Sequence, residues 1–228
     1  KGRPFYHGKP EWRKSNVVFE YSEMELEEKL RCKQDILYFA NTYAFTMTDE
    51  GLQHITLRDY QEELALTYKE KRFVVVLASR QVGKTISAAI FLAWFSIFHY
   101  DKNSLVVANK GKTVTEIISK TKDIIKNLPF FLKPGVVVNN QQSMAFDNGC
   151  RIIGETASPT PAIGFTIHLI YADEFAHINP NIVDKYYRSI YPTLSSSKEG
   201  RMIVTSTANG HNKFFEIYDG AENGENEF

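Results

Sequence analysis

The run Phe73-Val74-Val75-Val76-Leu77-Ala78 passes without a break into Ser79-Arg80-Gln81-Val82-Gly83-Lys84-Thr85 and then into the helical composition Ile86-Ser87-Ala88-Ala89-Ile90. No other feature limits so tightly what this chain can fold into. A continuous β-branched run is the pattern of a strand buried on both faces of a parallel sheet. A loop that closes on Gly-Lys-Thr at the start of a helix aims unpaired backbone N–H groups at an anion, and the arrangement suits a polyphosphate. The N–H groups wrap the β-phosphate, Lys84 reaches the β/γ oxygens, and the Thr85 hydroxyl ligates Mg²⁺. Ala78 stands where the usual G-x-x-x-x-G-K-[ST] pattern begins with glycine, which a strand end tolerates while φ stays negative. Gly83 is the glycine the loop requires. ATP and Mg²⁺ are the expected ligands, with Ser79, Arg80, Gln81, Val82, Gly83, Lys84 and Thr85 as the binding segment.

Similar short apolar runs recur at Ser104–Ala108, Cys150–Ile153, Leu169–Ala172 and Arg201–Thr205. Helical stretches at Lys84–Phe98 and Thr113–Asn127 separate the first three strands. Strand alternating with helix predicts a three-layer α/β domain with a mainly parallel central sheet and right-handed crossovers. Ahead of it, Lys1–Glu20 reads as an irregular arm laid over the surface. Ser22 and Glu25 form a capping-box signature for a helix over Glu23–Arg31, and a second helix is expected over Gln34–Tyr43. A turn at Asp49-Glu50-Gly51 precedes a third helix over Arg58–Lys69. The chain thus divides into an N-terminal arm and helical subdomain (1–56), a core (57–218), and an acidic linker (219–228) leading toward a further domain.

Composition narrows the classes. With 43% apolar and 13% aromatic residues among 228, the chain can build a large core, which excludes disorder for most of it. Twenty-seven basic residues balance 27 acidic ones, so nucleic acid would have to be met by one face, or by subunits arranged in a ring, rather than by overall charge. Cys32 and Cys150 stand far apart without a CxxC pair, which argues against a disulfide framework or structural zinc and suits a reducing compartment. No signal-peptide pattern or apolar run of transmembrane length appears, and the chain reads as a soluble piece of something longer. His7, His54, His99, His168, His177 and His211 lack metal-ligand spacing and read as structural or surface residues. Lys110, Lys112, Lys120, Lys122 and Lys126 read as a solvated helix face rather than a DNA-facing strip.

Two further strand ends carry chemistry. Leu169-Ile170-Tyr171-Ala172 ends in Asp173-Glu174, and adjacent carboxylates there can divide their labour. Asp173 would hold the Mg²⁺ hydration shell while Glu174 polarises an attacking water, which favours hydrolysis over transfer to a small acceptor. Arg201-Met202-Ile203-Val204 ends in Thr205-Ser206-Thr207-Ala208-Asn209-Gly210. Its hydroxyls and amide can sense a γ-phosphate, although an Asn-Gly turn with Ser and Thr caps accounts for the same residues.

Together these segments resemble the large terminase subunit of tailed double-stranded DNA phages, specifically the ATPase domain of the T4-like type, over about Tyr38 to Tyr218. Leu57-Arg58-Asp59-Tyr60-Gln61 is similar to that family's adenine-binding segment, and Thr205–Gly210 to its coupling motif. The resemblance implies a RecA-like ASCE P-loop NTPase fold that drives double-stranded DNA into a procapsid. Gln61 would read the adenine edge beside Tyr60 or Arg58, Arg80 would sense or stabilise the γ-phosphate, and Thr205, Ser206, Thr207, Asn209 and Gly210 would couple hydrolysis to movement. Implied partners are a portal protein, a small terminase subunit and further copies in a ring, in the cytoplasm of the infected host. Ile163-Gly164 stands where family members often carry Arg-Gly, so an arginine reaching a neighbour would come from Arg151, Arg188 or Arg201, or be absent. No carboxylate cluster of the family's nuclease domain is present, and no cutting activity is expected. A single helicase lobe and a nucleotide-binding interaction module without turnover remain as alternatives.

Overall fold

A computed structural model describes residues 4–79, 83–158, 164–195 and 198–228. Ser22 Oγ accepts from the Glu25 N–H while the Glu25 carboxylate accepts from the Ser22 N–H, and this capping box opens α1 (Glu23–Gln34). Asp35 ends that helix and caps the next, α2 (Ile36–Tyr43), by accepting from the Leu37 and Tyr38 N–H groups. The turn at Asp49–Gly51 joins two strands absent from the sequence reading, β1 (Phe45–Thr48) and β2 (Gly51–His54), paired antiparallel. After α3 (Asp59–Glu70) come β3 (Phe73–Leu77), α4 (Lys84–Phe98), β4 (Asn103–Ala108) and α5 (Gly111–Asn127). A second unforeseen hairpin, β5 (Val136–Asn140) and β6 (Ser143–Phe146), leads into β7 (Arg151–Thr156) and β8 (Leu169–Asp173). Helix α6 (Pro180–Ser195), β9 (Arg201–Ser206) and α7 (Lys213–Glu222) complete the order.

The central sheet runs β3-β9-β8-β4-β7-β6-β5. Its first five strands are mutually parallel, and β6 and β5 add on antiparallel. Alternate residues of each parallel strand enter two different cores, as the two-residue period of a strand demands. Leu169 and Tyr171 of β8 join the side packed by α2, α3, α4 and α5, whereas Ile170 and Ala172 join the side packed by α6 and α7. Val106 and Ile203 follow the first pair, and Leu105, Val107, Met202 and Val204 the second. This is the three-layer arrangement that the β-branched runs predict.

Helix α4 is buried at every residue from Ser87 to Phe98, because it lies between the sheet and the outer helices. A helix apolar all round is stable only in such a place. Trp94 Nε1 donates to the Cys32 carbonyl at 2.9 Å and pins α4 to α1. Helix α5 is two-faced instead: Val114, Ile117, Ile118, Ile124 and Ile125 enter the core, while Lys110 and Lys112 are exposed and Lys126 pairs with Asp123 at 2.6 Å. Lys110 and Lys112 therefore lie on the outward face of a core helix, while Lys122 departs from the expected solvated face: it is half-buried and donates to the Asn140 carbonyl. Among the described residues no helix is long and apolar enough to cross a membrane.

Both ends of the chain are more tightly packed than their composition suggests. In the N-terminal arm Trp12 is buried in the same core as α4, and the Arg13 guanidinium lies over the Phe19 and Phe130 rings while donating to the Val17 carbonyl. The acidic end, read as a linker, begins inside α7 and then folds back. The Phe228 ring lies 5.5 Å from Phe73 and 6.0 Å from Tyr191, the Tyr191 hydroxyl donates to Glu227, and Asn226 Nδ2 donates to the Ile217 carbonyl. Residues 219–227 have no large apolar side chain; Phe228, the last residue of the stretch, makes the contact.

At Gly154 in β7 the sheet and α5 approach closely. A Cβ there would lie 2.3 Å from Val114 Cγ1 and 2.6 Å from Ile118 Cδ1 of α5. Both neighbours are β-branched, buried and restricted in rotamer. Gly154→Val is expected to lower stability by about 1–3 kcal/mol, read as a fall in melting temperature, whereas a change at exposed Lys112 to Ala leaves it nearly unmoved.

Candidate active site

Parallel strands with matched register bring their C-terminal ends to one rim. Ser206 of β9 lies opposite Leu77 of β3, and Asp173 of β8 opposite Ala108 of β4. The Ala78 N–H donates to the Ser206 carbonyl at 3.0 Å, so the start of the glycine loop is fastened to the end of β9. Gly83 then takes φ +82° and ψ 19° immediately before α4. The positive φ favours glycine here, and a Cβ at this position would stand 2.4 Å from Gln61 Nε2 and displace that amide. No side chain caps α4, which leaves its first N–H groups turned toward the loop.

Lys84, the first residue of α4, extends across the rim to the acidic pair. Its Nζ lies 2.6 Å from Glu174 Oε1 and 3.0 Å from Asp173 Oδ1, with its side chain only 9% exposed. Asp173 Oδ1 also accepts from Thr205 Oγ1 at 2.7 Å and from the Glu174 N–H at 2.9 Å. Behind it the buried Tyr171 hydroxyl lies 3.2 Å from Thr205 Oγ1. Burial is the main force raising the Tyr171 phenol well above its ordinary value, and the Asp173 charge adds to it, so the group stays protonated as a hydrogen-bond donor.

Glu174 is held differently. Its backbone is left-handed, φ 50° and ψ 41°, an uncommon place for a side chain with a Cβ. That turn lifts it off the strand and starts the short 3-10 turn Phe175–His177. Oε1 takes Lys84, while Oε2 accepts from Thr207 Oγ1 at 3.3 Å and faces His177 Nε2 at 3.5 Å. Burial pushes the Glu174 carboxyl up, but the Lys84 bond and charge, the His177 ring and Thr207 outweigh it and hold the group below the ordinary 4.5. A carboxyl so lowered adds stability that is full above its unfolded value and is lost as pH falls through the folded value.

The structure thus brings together Lys84, Asp173, Glu174, Thr205 and Thr207, with Thr85 half-buried beside Lys84. Ser206 Oγ faces the turn behind the acids, accepting from the Ala176 N–H at 3.0 Å, and Asn209 Nδ2 donates to the Ala176 carbonyl at 2.9 Å. Gly210 is exposed with φ 71°, and Ser79 is exposed at the loop entrance. Arg80, Gln81, Val82 and Ile163 lie outside the described residues. Arg201 is committed inside the molecule, its Nη1 donating to the carbonyls of Tyr68, Lys69 and Lys71 at the end of α3; Arg151 and Arg188 are exposed.

Gln61, Tyr60 and Arg58 border a recess of about 220 Å³ that reaches Gly83 and is closed by Thr46, Thr48 and His54 of the β1–β2 hairpin. Gln61 is buried; its amide accepts from the Arg58 N–H at 3.0 Å and donates to the Gly83 carbonyl at 3.1 Å. Its first connection is therefore to the glycine loop itself. The Tyr60 hydroxyl and Thr46 Oγ1 are buried without a hydrogen-bond partner among the described residues.

Sequence reasoning missed two contributors, the β1–β2 hairpin and His177. The hairpin is mostly exposed, and the apolar alternation of Phe45-Thr46-Met47-Thr48 is only four residues long and has no counterpart in β2. The only local signal for His177 was its place three residues after Glu174. Among the described residues no cluster of three or more His, Cys, Asp or Glu side chains could hold a metal alone. A divalent ion shared with phosphates needs only one or two carboxylates, and the Thr85 and Asp173 oxygens suit one. The Lys84 ammonium already lies against that acidic pair, showing that the site accepts positive charge.

In Lys84→Ala, burial acts on Glu174 with its chief opponent gone. Its carboxyl is expected to titrate higher than in the wild type, followed by carboxyl ¹³C shift against pH; an unmoved titration would show that the ammonium is not the controlling charge.

The fold has known counterparts. The HK97 bacteriophage large terminase superposes with a TM-score of 0.69 at 14% identity, covering 85% of this chain and 42% of its own. The large terminase ATPase domain of Thermus phage P74-26 gives 0.56 at 20% identity, covering 72% of this chain and 74% of that one. The large terminase of a thermophilic bacteriophage, solved in complex with ADP, gives 0.55 at 13% identity, covering 74% and 44%. This chain therefore spans less than half the length of the HK97 protein and of the one solved with ADP. The family described as terminase large subunit, T4likevirus-type, N-terminal, matches residues 75–227, from the middle of β3 to the penultimate residue. By that match over more than half of its length, with a shared fold and the strand-end motifs on one rim, the chain belongs to the T4likevirus-type terminase large subunits, in their N-terminal part.

Proposed function

We propose that this chain is the ATP-hydrolysing motor domain of a viral terminase large subunit, powering translocation of double-stranded DNA into a procapsid. The observation that carries this reading is Lys84 lying between Asp173 and Glu174 at the foot of α4, with Thr205 and Thr207 bonded to the same two carboxylates. The N–H groups at the start of α4 receive the phosphates, and Lys84 leaves the acids for the β/γ oxygens. Thr85 and Asp173 would hold Mg²⁺, which when bound would supply neutralisation of phosphate charge. Departure of Lys84 frees Oε1 of Glu174 to accept a proton from a water whose oxygen bonds the γ-phosphorus as the bond from that phosphorus to the bridging oxygen breaks and ADP leaves. Arg80 stabilises charge on the γ-phosphate as it develops, and the recess beside Gln61, Tyr60 and Arg58 receives the base.

Movement follows from the same contacts. Thr205 bonds Asp173, Thr207 bonds Glu174, and Ser206 and Asn209 bond Ala176, so a change in the charge carried by the acids alters what holds the end of β9. Partners on this reading are double-stranded DNA, a portal protein, a small terminase subunit and further copies of the chain in a ring at the procapsid portal in the cytoplasm of the infected host. Of the three arginines that could reach a neighbour, Arg151 and Arg188 are exposed, and the alternative is that no such arginine exists.

Glu174→Gln is expected to retain ATP binding while kcat falls about 10²- to 10⁴-fold, and Lys84→Ala to lose binding as well; both are read from Mg-ATP turnover and nucleotide titration. Wild-type turnover that rises steeply with protein concentration would show neighbours completing the site. No turnover at any concentration, with ATP still bound, would replace hydrolysis by a binding role.

A further inference from the structure

The two strand ends are joined by a second connection, independent of Lys84. His177 ends the turn that begins right after Glu174, and its Nε2 lies 2.7 Å from Thr207 Oγ1. Thr207 Oγ1 is in turn 3.3 Å from Glu174 Oε2. A threonine hydroxyl carries one proton but accepts freely. With that proton given to the carboxylate, the oxygen accepts from the ring, so Nε2 bears the hydrogen. The result is a directed chain from Nε2–H through the hydroxyl to Oε2. The turn that carries His177 is itself fixed. The Ala176 N–H donates to Ser206 Oγ, the Ala176 carbonyl accepts from Asn209 and Asn212, and the His177 carbonyl accepts from Asn109 Nδ2 at 3.4 Å.

The terminal torsion of a glutamate is broad and nearly two-fold, so a carboxylate with one oxygen unheld presents either face. While Lys84 grips Oε1 the orientation is fixed from that side. Once Lys84 turns to phosphate, the Thr207–His177 chain is what holds the group among the described residues. Resting on the hydrolytic reading above, we propose that His177 is a positioning residue for hydrolysis: through Thr207 it fixes Oε2 of Glu174, keeps Oε1 toward the water, and ties that orientation to the segment after β9.

The test compares Mg-ATP turnover by wild type, Glu174→Gln, His177→Ala, His177→Gln, Thr207→Val and the His177→Ala/Thr207→Val pair, each over a range of protein concentration. His177→Ala is expected to lower kcat about 10- to 100-fold with KM for ATP changed less than about twofold, because the ring touches the carboxylate chain and not the nucleotide. His177→Gln, whose amide can donate to Thr207, is expected to recover part of the loss. The double variant should lose little beyond Thr207→Val alone, the sign of one shared pathway. Imidazole ¹⁵N spectra of the unliganded wild type should show the Nε2–H tautomer, shifting in Thr207→Val. Wild-type kcat in His177→Ala, with Glu174→Gln inactive, overturns the proposal and leaves the hydrolytic reading standing. If His177→Ala does not fold, the ¹⁵N spectra and His177→Gln decide, and an Nδ1–H ring indifferent to Thr207→Val overturns the proposal. A wild type that binds ATP and never turns it over overturns both readings.

Discussion

Strands that hide both faces from water cannot choose their neighbours freely. β3, β9, β8 and β4 are each lined by apolar residues on both sides, and only a sheet sandwiched between two helical layers satisfies them. Parallel pairing in register then sends every one of their C-terminal ends to the same rim. The polar residues that follow those ends, Lys84 after β3, Glu174 after β8 and Thr207 after β9, meet there although 90 positions separate the first two. The site is a geometrical consequence of core burial, and its side chains need no local sequence relation to one another.

Electrostatics accounts for the arrangement within that rim. Two adjacent carboxylates in partly buried surroundings repel each other unless a cation or hydrogen-bond donors intervene. Here one ammonium and two threonine hydroxyls do so. Lys84 reaches the acids from the first position of α4, whereas the threonines stand at the end of a central strand. On the hydrolytic reading proposed above, departure of the ammonium to a phosphate would change what the hydroxyls compensate, and would so link charge on the acids to the segment after β9.

Several expectations rest on short-range physics and match the structure closely. The capping box at Ser22 and Glu25, the helix from Lys84 to Phe98, and the apolar runs at 73–77, 169–172 and 201–205 all depend on neighbours within a few residues. The hairpins β1–β2 and β5–β6 escape the sequence reading because the alternation in each is confined to one strand of four residues, β1 or β6, while β2 is mainly exposed and β5 alternates weakly. Helices α6 and α7 also escape it although Asn179-Pro180 and Asn212 mark their starts; Pro192 within α6 obscures its length. The end of the chain misleads for a related reason, since acidic residues at 219–227 suggest a linker while one aromatic, Phe228, returns the chain to Phe73.

The sequence by itself determines the layers and the motif-bearing strand ends, because periodicity and β-branching are local properties that any solvent-avoiding chain must obey. It also marks Gly83, Lys84, Asp173 and Glu174 as a set, since each sits where a buried strand gives way to a polar turn. Only the tertiary structure decides that Gln61 fastens to Gly83, that Arg201 caps α3, and that His177 reaches Glu174 through Thr207. Each of these is a hydrogen bond between segments 22 to 132 residues apart, or one directed by a single left-handed residue. Sequence patterns carry no angular information at that range; the packed core supplies it.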